Sequence, residues 1–230
     1  MATDKSKKRT PRCGAPLDLE LMVRGKGKRV LITAGPTWVA IDEIRVISNQ
    51  ATGTTGIHLA QALQKKGAEV TLLLGPHTVA PKLSGVKIIR FQFFDELRAA
   101  VKQELRRKKY GIILHAAAVS DFAPKYAHQG KLASGKAHTL RLVPLPKIIN
   151  DITASVPEAK VVMFKLETKV SDTMLVKRGR AALLKSGADI VVANRLNPYK
   201  AFVLNNNEMI TTASSKNELI KKLSTLVYRL

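Results

Sequence analysis

Cysteine is nearly missing from this chain. Cys13 is the only one in 230 residues, which excludes an intrachain disulfide and any metal cage built on thiolates. It lies in a polar segment with no base beside it, so a nucleophilic role is not expected. A reducing compartment, by default the cytoplasm, is the expected setting. Aromatic residues are scarce at 5%. They do not alternate with basic residues, so no stacking platform for single-stranded nucleic acid is expected. Acidic residues are few as well: 17 Asp and Glu face 39 Lys and Arg, giving a formal charge of +22. Such a charge can attract nucleic acid or an anionic membrane surface. The cations are spread along the chain, however, and form no stripe. Anionic small molecules are therefore the expected ligands, and nucleic acid is not expected as the primary partner. No apolar run reaches the roughly 18 residues that a membrane span needs. No apolar segment follows the charged start at Asp4, so a secretory signal is not expected. The common catalytic signatures are also absent. There is no Walker A loop, and no His pair or acidic cluster has metal-ligand spacing. The histidines His58, His77, His115, His128 and His138 are scattered, and His115 reads as a core or strand-end residue.

What the chain does have is 45% hydrophobic residues, distributed as short apolar runs between helical patterns. Residues 29–34, 69–74, 86–91, 110–117, 161–166 and 190–193 read as strands. Several are apolar throughout, as parallel strands buried on both faces are. Residues 54–66, 95–109 and 171–186 read as helices, with Gly67 and Gly187 as stops. A loop is expected over 123–138, then a short strand over 139–143 and a short helix from Pro146 to Ile152. A hairpin is expected across Asn205-Asn206-Asn207, and a last amphipathic helix over 215–229. This alternation predicts an α/β fold, Rossmann-like and doubly wound around a mainly parallel sheet. Residues 1–28, rich in Lys, Arg, Pro and Gly, read as a basic, mostly disordered arm with an apolar patch at 17–23 able to dock. Residues 29–230 read as one domain.

In an open α/β sheet, ligands bind beyond the carboxyl ends of the strands. Gly35, Thr37, Arg45 and Asn49 follow the first strand, and Gly53 and Gly56 precede the first helix. A strand, a glycine-bearing loop and a helix N-terminus together suit a phosphate, because free N–H groups and the helix dipole both favour an anion. Ala117, Ala118 and Asp121 lie at the end of the 110–117 run, and Asn194 follows 190–193. A redox dinucleotide site does not fit. The glycines lie well beyond the first strand, and the second strand ends Leu72-Leu73-Leu74-Gly75 with no acid for a ribose. Plainer readings stand beside these. Gly53 and Gly56 could simply open a helix, Asp121 could serve a turn, and Lys131 could be a solvated loop lysine. Phe164 could be plain core, and Lys165 and Glu167 could be a surface pair.

The motifs carry a resemblance. Ile32-Thr33-Ala34-Gly35-Pro36-Thr37, Ile41-Asp42, Arg45-Val46-Ile47-Ser48-Asn49 and Ala51-Thr52-Gly53-Thr54-Thr55-Gly56 resemble the nucleotide and substrate loop of phosphopantothenate–cysteine ligases. His115-Ala116-Ala117-Ala118-Val119-Ser120-Asp121-Phe122 is similar to that family's Ala-Ala-Ala-Val-x-Asp motif. Lys131-Leu132-x-Ser134, Phe164-Lys165-Leu166-Glu167-Thr168 and Val191-Val192-Ala193-Asn194 follow in the family's order. The spelling at 164–168 is closer to the stand-alone, eukaryotic-type ligases than to the fused bacterial enzyme. The resemblance implies an enzyme of coenzyme A biosynthesis. It would use ATP or CTP with Mg²⁺ to activate 4'-phosphopantothenate as an acyl-nucleotide, which the amine of L-cysteine then attacks. It implies that Gly35, Ala51, Gly53 and Gly56 line the nucleotide phosphates, and that Phe164 and Asn194 meet the base and ribose. It implies that Asn49, Ala117, Ala118 and Asp121 hold the phosphopantothenate arm, with Asn49 and Lys131 in catalysis. Arg45 would reach the substrate of a partner subunit, so a homodimer joined through a small β extension is implied. Two departures stand out: Pro36 removes an N–H donor where the family commonly has Gly, and Ala51 lacks the hydroxyl of the common Ser. The alternative class is a nucleotide-binding or regulatory protein that keeps the fold without ligation.

Overall fold

The computed structural model describes residues 27–76 and 83–230. The arm expected over 1–28, apart from Gly27 and Lys28, lies outside the described residues, as does His77. The first strand, β1 (Arg29–Ala34), follows from its apolar run: Leu31 and Ile32 are fully buried, on opposite faces of the sheet. Each such side chain contributes about 1.5–3 kcal/mol of burial. The strands that join it are β4 (Glu69–Leu74), β5 (Val86–Arg90), β6 (Ile112–His115), β9 (Lys160–Glu167) and β10 (Ile190–Leu196), with β11 (Tyr199–Leu204) and β12 (Met209–Ala213) at one edge. Their order is β12-β11-β10-β9-β6-β1-β4-β5. From β10 to β5 every neighbour is parallel, and only the β10–β11 and β11–β12 pairs are antiparallel.

Five helices among the described residues cover the two faces. We number them α1 (Thr54–Lys65), α2 (Phe94–Arg107), α3 (Ile148–Ser155), α4 (Asp172–Ser186) and α5 (Lys216–Arg229). Ile57 and Leu63 of α1 pack with Leu219 and Leu223 of α5 against Ile32, Leu114 and Val192. On the other face Leu97, Ile152 and Leu175, from α2, α3 and α4, pack against Leu31, Ile113 and Val191. The expected doubly wound α/β fold is thus the observed one. Local signals account for the helix ends. Glu96 accepts the N–H groups of Gln92 (2.7 Å) and Phe93 (3.2 Å) at the start of α2. Ser171 and Ser215 cap α4 and α5, accepting from Met174 (3.2 Å) and Glu218 (3.1 Å). Gly187 closes α4 at φ 68°.

Several boundaries differ from the sequence expectation. The run over 110–117 is a strand only from 112 to 115, because the chain then turns across β1: Ala116 N donates to Thr33 O (3.1 Å) and Ala118 N to Gly35 O (2.9 Å). The strand expected at 139–143 is β8 (Leu142–Pro144), paired with β7 (Phe122–Pro124) in a separate two-stranded sheet. The stretch between β1 and α1 holds a further small hairpin of β2 (Trp38–Ala40) and β3 (Val46–Ser48). The strand expected to stop at 193 runs on to Leu196, since β11 pairs with it through Tyr199.

Candidate functional site

The site begins where β1 ends. Gly35 (φ 86°) leaves the strand, and a Cβ on it would lie 3.1 Å from the backbone N of Gly75 at the end of β4. Gly53 (φ 72°) starts α1, and its Cβ would lie 3.1 Å from Gly35 N. Side chains are excluded at both positions by conformation and by space, so three stretches of backbone stack directly. Gly56 brings the first turn of α1 onto Ala34, where an added methyl would be 2.5 Å from the alanine Cβ. The start of α1 has no side-chain cap and no acid in its first turn. Every other described helix has an acid there: Asp95 and Glu96, Asp151, Asp172, and Glu218. Thr54 N reaches the Thr52 hydroxyl at 3.5 Å, and the positive dipole end of α1 has no carboxylate in its own first turn. Gly35, Ala51, Gly53 and Gly56, the expected phosphate contacts, gather here.

Beside this cradle a strap runs from the end of β6. Pro36 bridges to Ala118, and Thr37 N donates to Ala118 O (3.4 Å). Asn49 Nδ2 donates to Ala118 O (3.0 Å) and Val119 O (3.2 Å), and its Oδ1 makes no hydrogen bond among the described residues. The buried Thr37 hydroxyl accepts Ser120 N (2.8 Å) and meets Ser120 Oγ at 2.9 Å. Thr33 Oγ1 accepts Ala117 N (3.2 Å) and is 2.9 Å from His115 Nδ1. The hydroxyl thus links the strap backbone to the imidazole, as one O–H with two acceptor lone pairs can. Burial pushes the imidazole down to about 4, so it is neutral at physiological pH. The structure thus brings Asn49, Ala117 and Ala118 together with Gly35. Asp121 is exposed and forms an ion pair with Lys147, a residue that sequence reasoning did not single out.

Arg45 and Lys131 also come together, through a residue given no role from sequence. Asp42 is buried, and its carboxylate takes the N–H of Ile44 (2.9 Å), Arg45 (2.7 Å) and Leu132 (3.0 Å), and the Arg45 guanidinium. Burial pushes this carboxyl up, but the Leu132, Ile44 and Arg45 N–H donors and the guanidinium outweigh it and hold the acid well below the usual range. Arg45 Nη1 also donates to Leu132 O (3.3 Å). Lys131 itself is exposed. The guanidinium of Arg45, expected to reach towards a partner subunit, is held by its own chain through Nη1 alone among the described residues.

Phe164 and Asn194 lie within the C-terminal halves of β9 and β10. Phe164 faces Val192, and Asn194 faces Leu166 in the next register. Phe164 packs on the core beneath α1, so these two residues share the sheet face that carries the glycine cradle. Neither is hydrogen-bonded to the strap. Lys165 and Glu167 do pair (3.3 Å), with Arg178 joining Glu167 from α4. No cluster of three or more His, Cys, Asp or Glu suited to a metal occurs among the described residues. No helix among them is long and apolar enough to cross a membrane.

Comparison with known proteins bears on the family and the fold. A curated relative, the coenzyme A biosynthesis bifunctional protein CoaBC of Thermococcus kodakarensis, is 37% identical over 204 residues, covering 89% of this chain and 49% of that protein. CoaBC of Borreliella burgdorferi is 33% identical over 213 residues, covering 88% of this chain and 53% of its own. The chain thus spans about half the length of the curated relatives it matches. The crystal structure of the DNA/pantothenate metabolism flavoprotein from Streptococcus pneumoniae superposes with a TM-score of 0.77 at 26% identity, covering 85% of this chain and 96% of that one. The family model of the DNA/pantothenate metabolism flavoprotein C-terminal domain matches residues 25–226. A match over that much of the sequence, around the glycine cradle and its strap, makes this chain a member of the DNA/pantothenate metabolism flavoprotein C-terminal domain family.

Proposed function

We propose that the protein is a phosphopantothenate–cysteine ligase. The carboxylate of 4'-phosphopantothenate attacks the α-phosphorus of a nucleoside triphosphate, ATP or CTP, and pyrophosphate leaves. The cysteine amine then attacks the acyl carbon, the nucleoside monophosphate leaves with the bonding electrons, and the amine loses a proton to solvent. The observation that carries this reading is the adjacency of an anion cradle (Gly35, Gly53, α1) to a polar strap (117–121), bridged by Asn49. The side-chain carbonyl of Asn49 is an acceptor for donor groups of the bound substrate. Its Nδ2 is committed to the strap, so Oδ1 is the atom available to a ligand. Further support comes from the coenzyme A biosynthesis relative at 37% identity. In this reading the α1 N–H groups hold the phosphates, and Lys131 neutralises charge that develops during activation. Phe164 and Asn194 contact the base and ribose. Ala117, Ala118 and Asp121 hold the pantothenate arm.

Mg²⁺ enters with the triphosphate. Asp42 is spent on four internal donors, which suits an ion held mainly by phosphate oxygens and water. No side-chain nucleophile is needed. A cytoplasmic homodimer completes the reading: Phe122 and Leu142, side chains of the β7–β8 sheet, are 52% and 47% exposed, and such a face suits burial against a second copy. Arg45 then uses its remaining nitrogens on the partner's substrate. The test is pyrophosphate release that depends on phosphopantothenate, with ATP and CTP in parallel and cysteine present or omitted. Release with one nucleotide, coupled to a cysteine adduct, is expected. Nucleotide binding without release would favour a non-catalytic binding protein. Lys131→Ala should slow release by on the order of 100-fold or more with the fold intact.

A further inference from the structure

We propose that Asp42 is a positioning residue for Lys131. It holds the residue after the lysine, while Glu43 holds the residue before it. The inference rests on the reading of Lys131 as the charge-neutralising lysine of ligation. Its physical basis is the division of labour between the two oxygens of Asp42. Oδ1 closes the turn of the β2–β3 hairpin, accepting Ile44 N (2.9 Å) and Arg45 N (2.7 Å). That turn has no need of Oδ2. The second oxygen accepts Leu132 N (3.0 Å), ninety positions along the chain, together with the Arg45 guanidinium. Arg45 returns a hydrogen bond to Leu132 O (3.3 Å). On the other side Glu43 Oε1 accepts Gly130 N (3.0 Å), and Glu43 N donates to Gly130 O (3.3 Å). His128 N donates to Ile41 O (2.9 Å).

Residues 128, 130 and 132 are thus tied at alternate positions to the 41–45 turn. Lys131 stands between two of these anchors and is exposed. A long loop left to itself would spread its lysine over many conformations, and a charge-stabilising group works only when it is held where charge develops. The Asp42 side chain is fully shielded from solvent (0% exposed). A carboxylate in that position is tolerated because each oxygen has two donors. The turn lies between β1 and α1, the elements that form the glycine cradle, so the latch ties the lysine loop to the phosphate site.

Asp42→Asn separates the two roles. The amide keeps an oxygen for the turn and presents an N–H₂ group to Leu132 N–H and Arg45. The expected results are faster amide hydrogen exchange across residues 128–133, faster tryptic cleavage after Lys131, and unchanged exchange in the core strands. The kcat for pyrophosphate release should fall on the order of 100-fold, the scale of a misplaced group, with the nucleotide KM little changed. Glu43→Ala should loosen the same segment more weakly, and Glu43→Gln, which keeps the acceptor, should restore it. This pair decides the matter if Asp42→Asn does not fold. Unchanged exchange at 128–133 in the variants overturns the latch. A loosened loop with wild-type kcat overturns its service to Lys131. If the wild-type protein releases no pyrophosphate, the ligation reading fails, while hydrogen exchange still decides whether Asp42 holds the loop.

Discussion

Gly56 marks a close approach of helix to sheet beside the glycine cradle. A methyl there would lie 2.5 Å from Ala34 Cβ. Gly56→Ala is therefore expected to cost about 1–3 kcal/mol through overpacking, seen as a lower urea midpoint. Adding Ala34→Gly should recover part of the loss, because the collision is methyl against methyl, and a double-mutant cycle reads the coupling. His115 offers a second residue-scale test. Its imidazole is lowered by burial from 6.5 to about 4. The unfolded chain then binds the proton more tightly than the folded one, so stability rises with pH. The contribution is fully present above about 6.5 and is lost as pH falls towards 4. Denaturation measured from neutral to acid pH should show a loss on the order of 3 kcal/mol that His115→Gln removes. The sequence shows a histidine at a strand end. It does not show that Thr33, eighty-two positions earlier, is the hydrogen-bond partner of the ring Nδ1.

At the scale of elements, α1 is the one described helix that starts without an acid or a side-chain cap. Thr54→Asp should stabilise the fold by about 0.3–1 kcal/mol through the helix dipole. The same charge should repel phosphate and raise the KM for the nucleotide severalfold. A stabilised variant with unchanged nucleotide KM would remove the α1 terminus from the site. Helices and central strands were legible because their signals are local: a repeating apolar face, a serine cap, a closing glycine. Of the two small sheets only β8 was expected, one to three residues early, and β2, β3 and β7 were not. β2, β3 and β7 have three residues each, too few for an alternating pattern to register. What holds the 41–45 turn against the lysine loop is pairing between distant segments. Asp42 was visible as part of a motif, yet its work became readable only with Leu132 beside it.

For the whole molecule, the charge of +22 sets a field that favours anionic substrates. Added salt should raise the nucleotide KM, since at 0.1 M the screening length is only about 10 Å. The proposed self-association gives the other whole-molecule expectation. Leu142→Glu places a charge in the exposed face of β7–β8 and should shift sedimentation towards monomer without lowering the unfolding midpoint. A variant of unchanged mass would move the interface elsewhere.

The sequence by itself determined the α/β class, the order of the main elements and the residue types gathered at the strand ends, because periodicity and glycine placement act over a few residues. It also excluded disulfides and thiolate metal sites through its single cysteine. Only the tertiary structure decided which of those strand ends meet. The backbone stacking at Gly35, Gly53 and Gly75, the Asn49 bridge to the strap, and the Asp42 latch on the lysine loop each join segments far apart in the chain. Contacts of that kind exist only once the sheet order is set, so local sequence signals could not specify them.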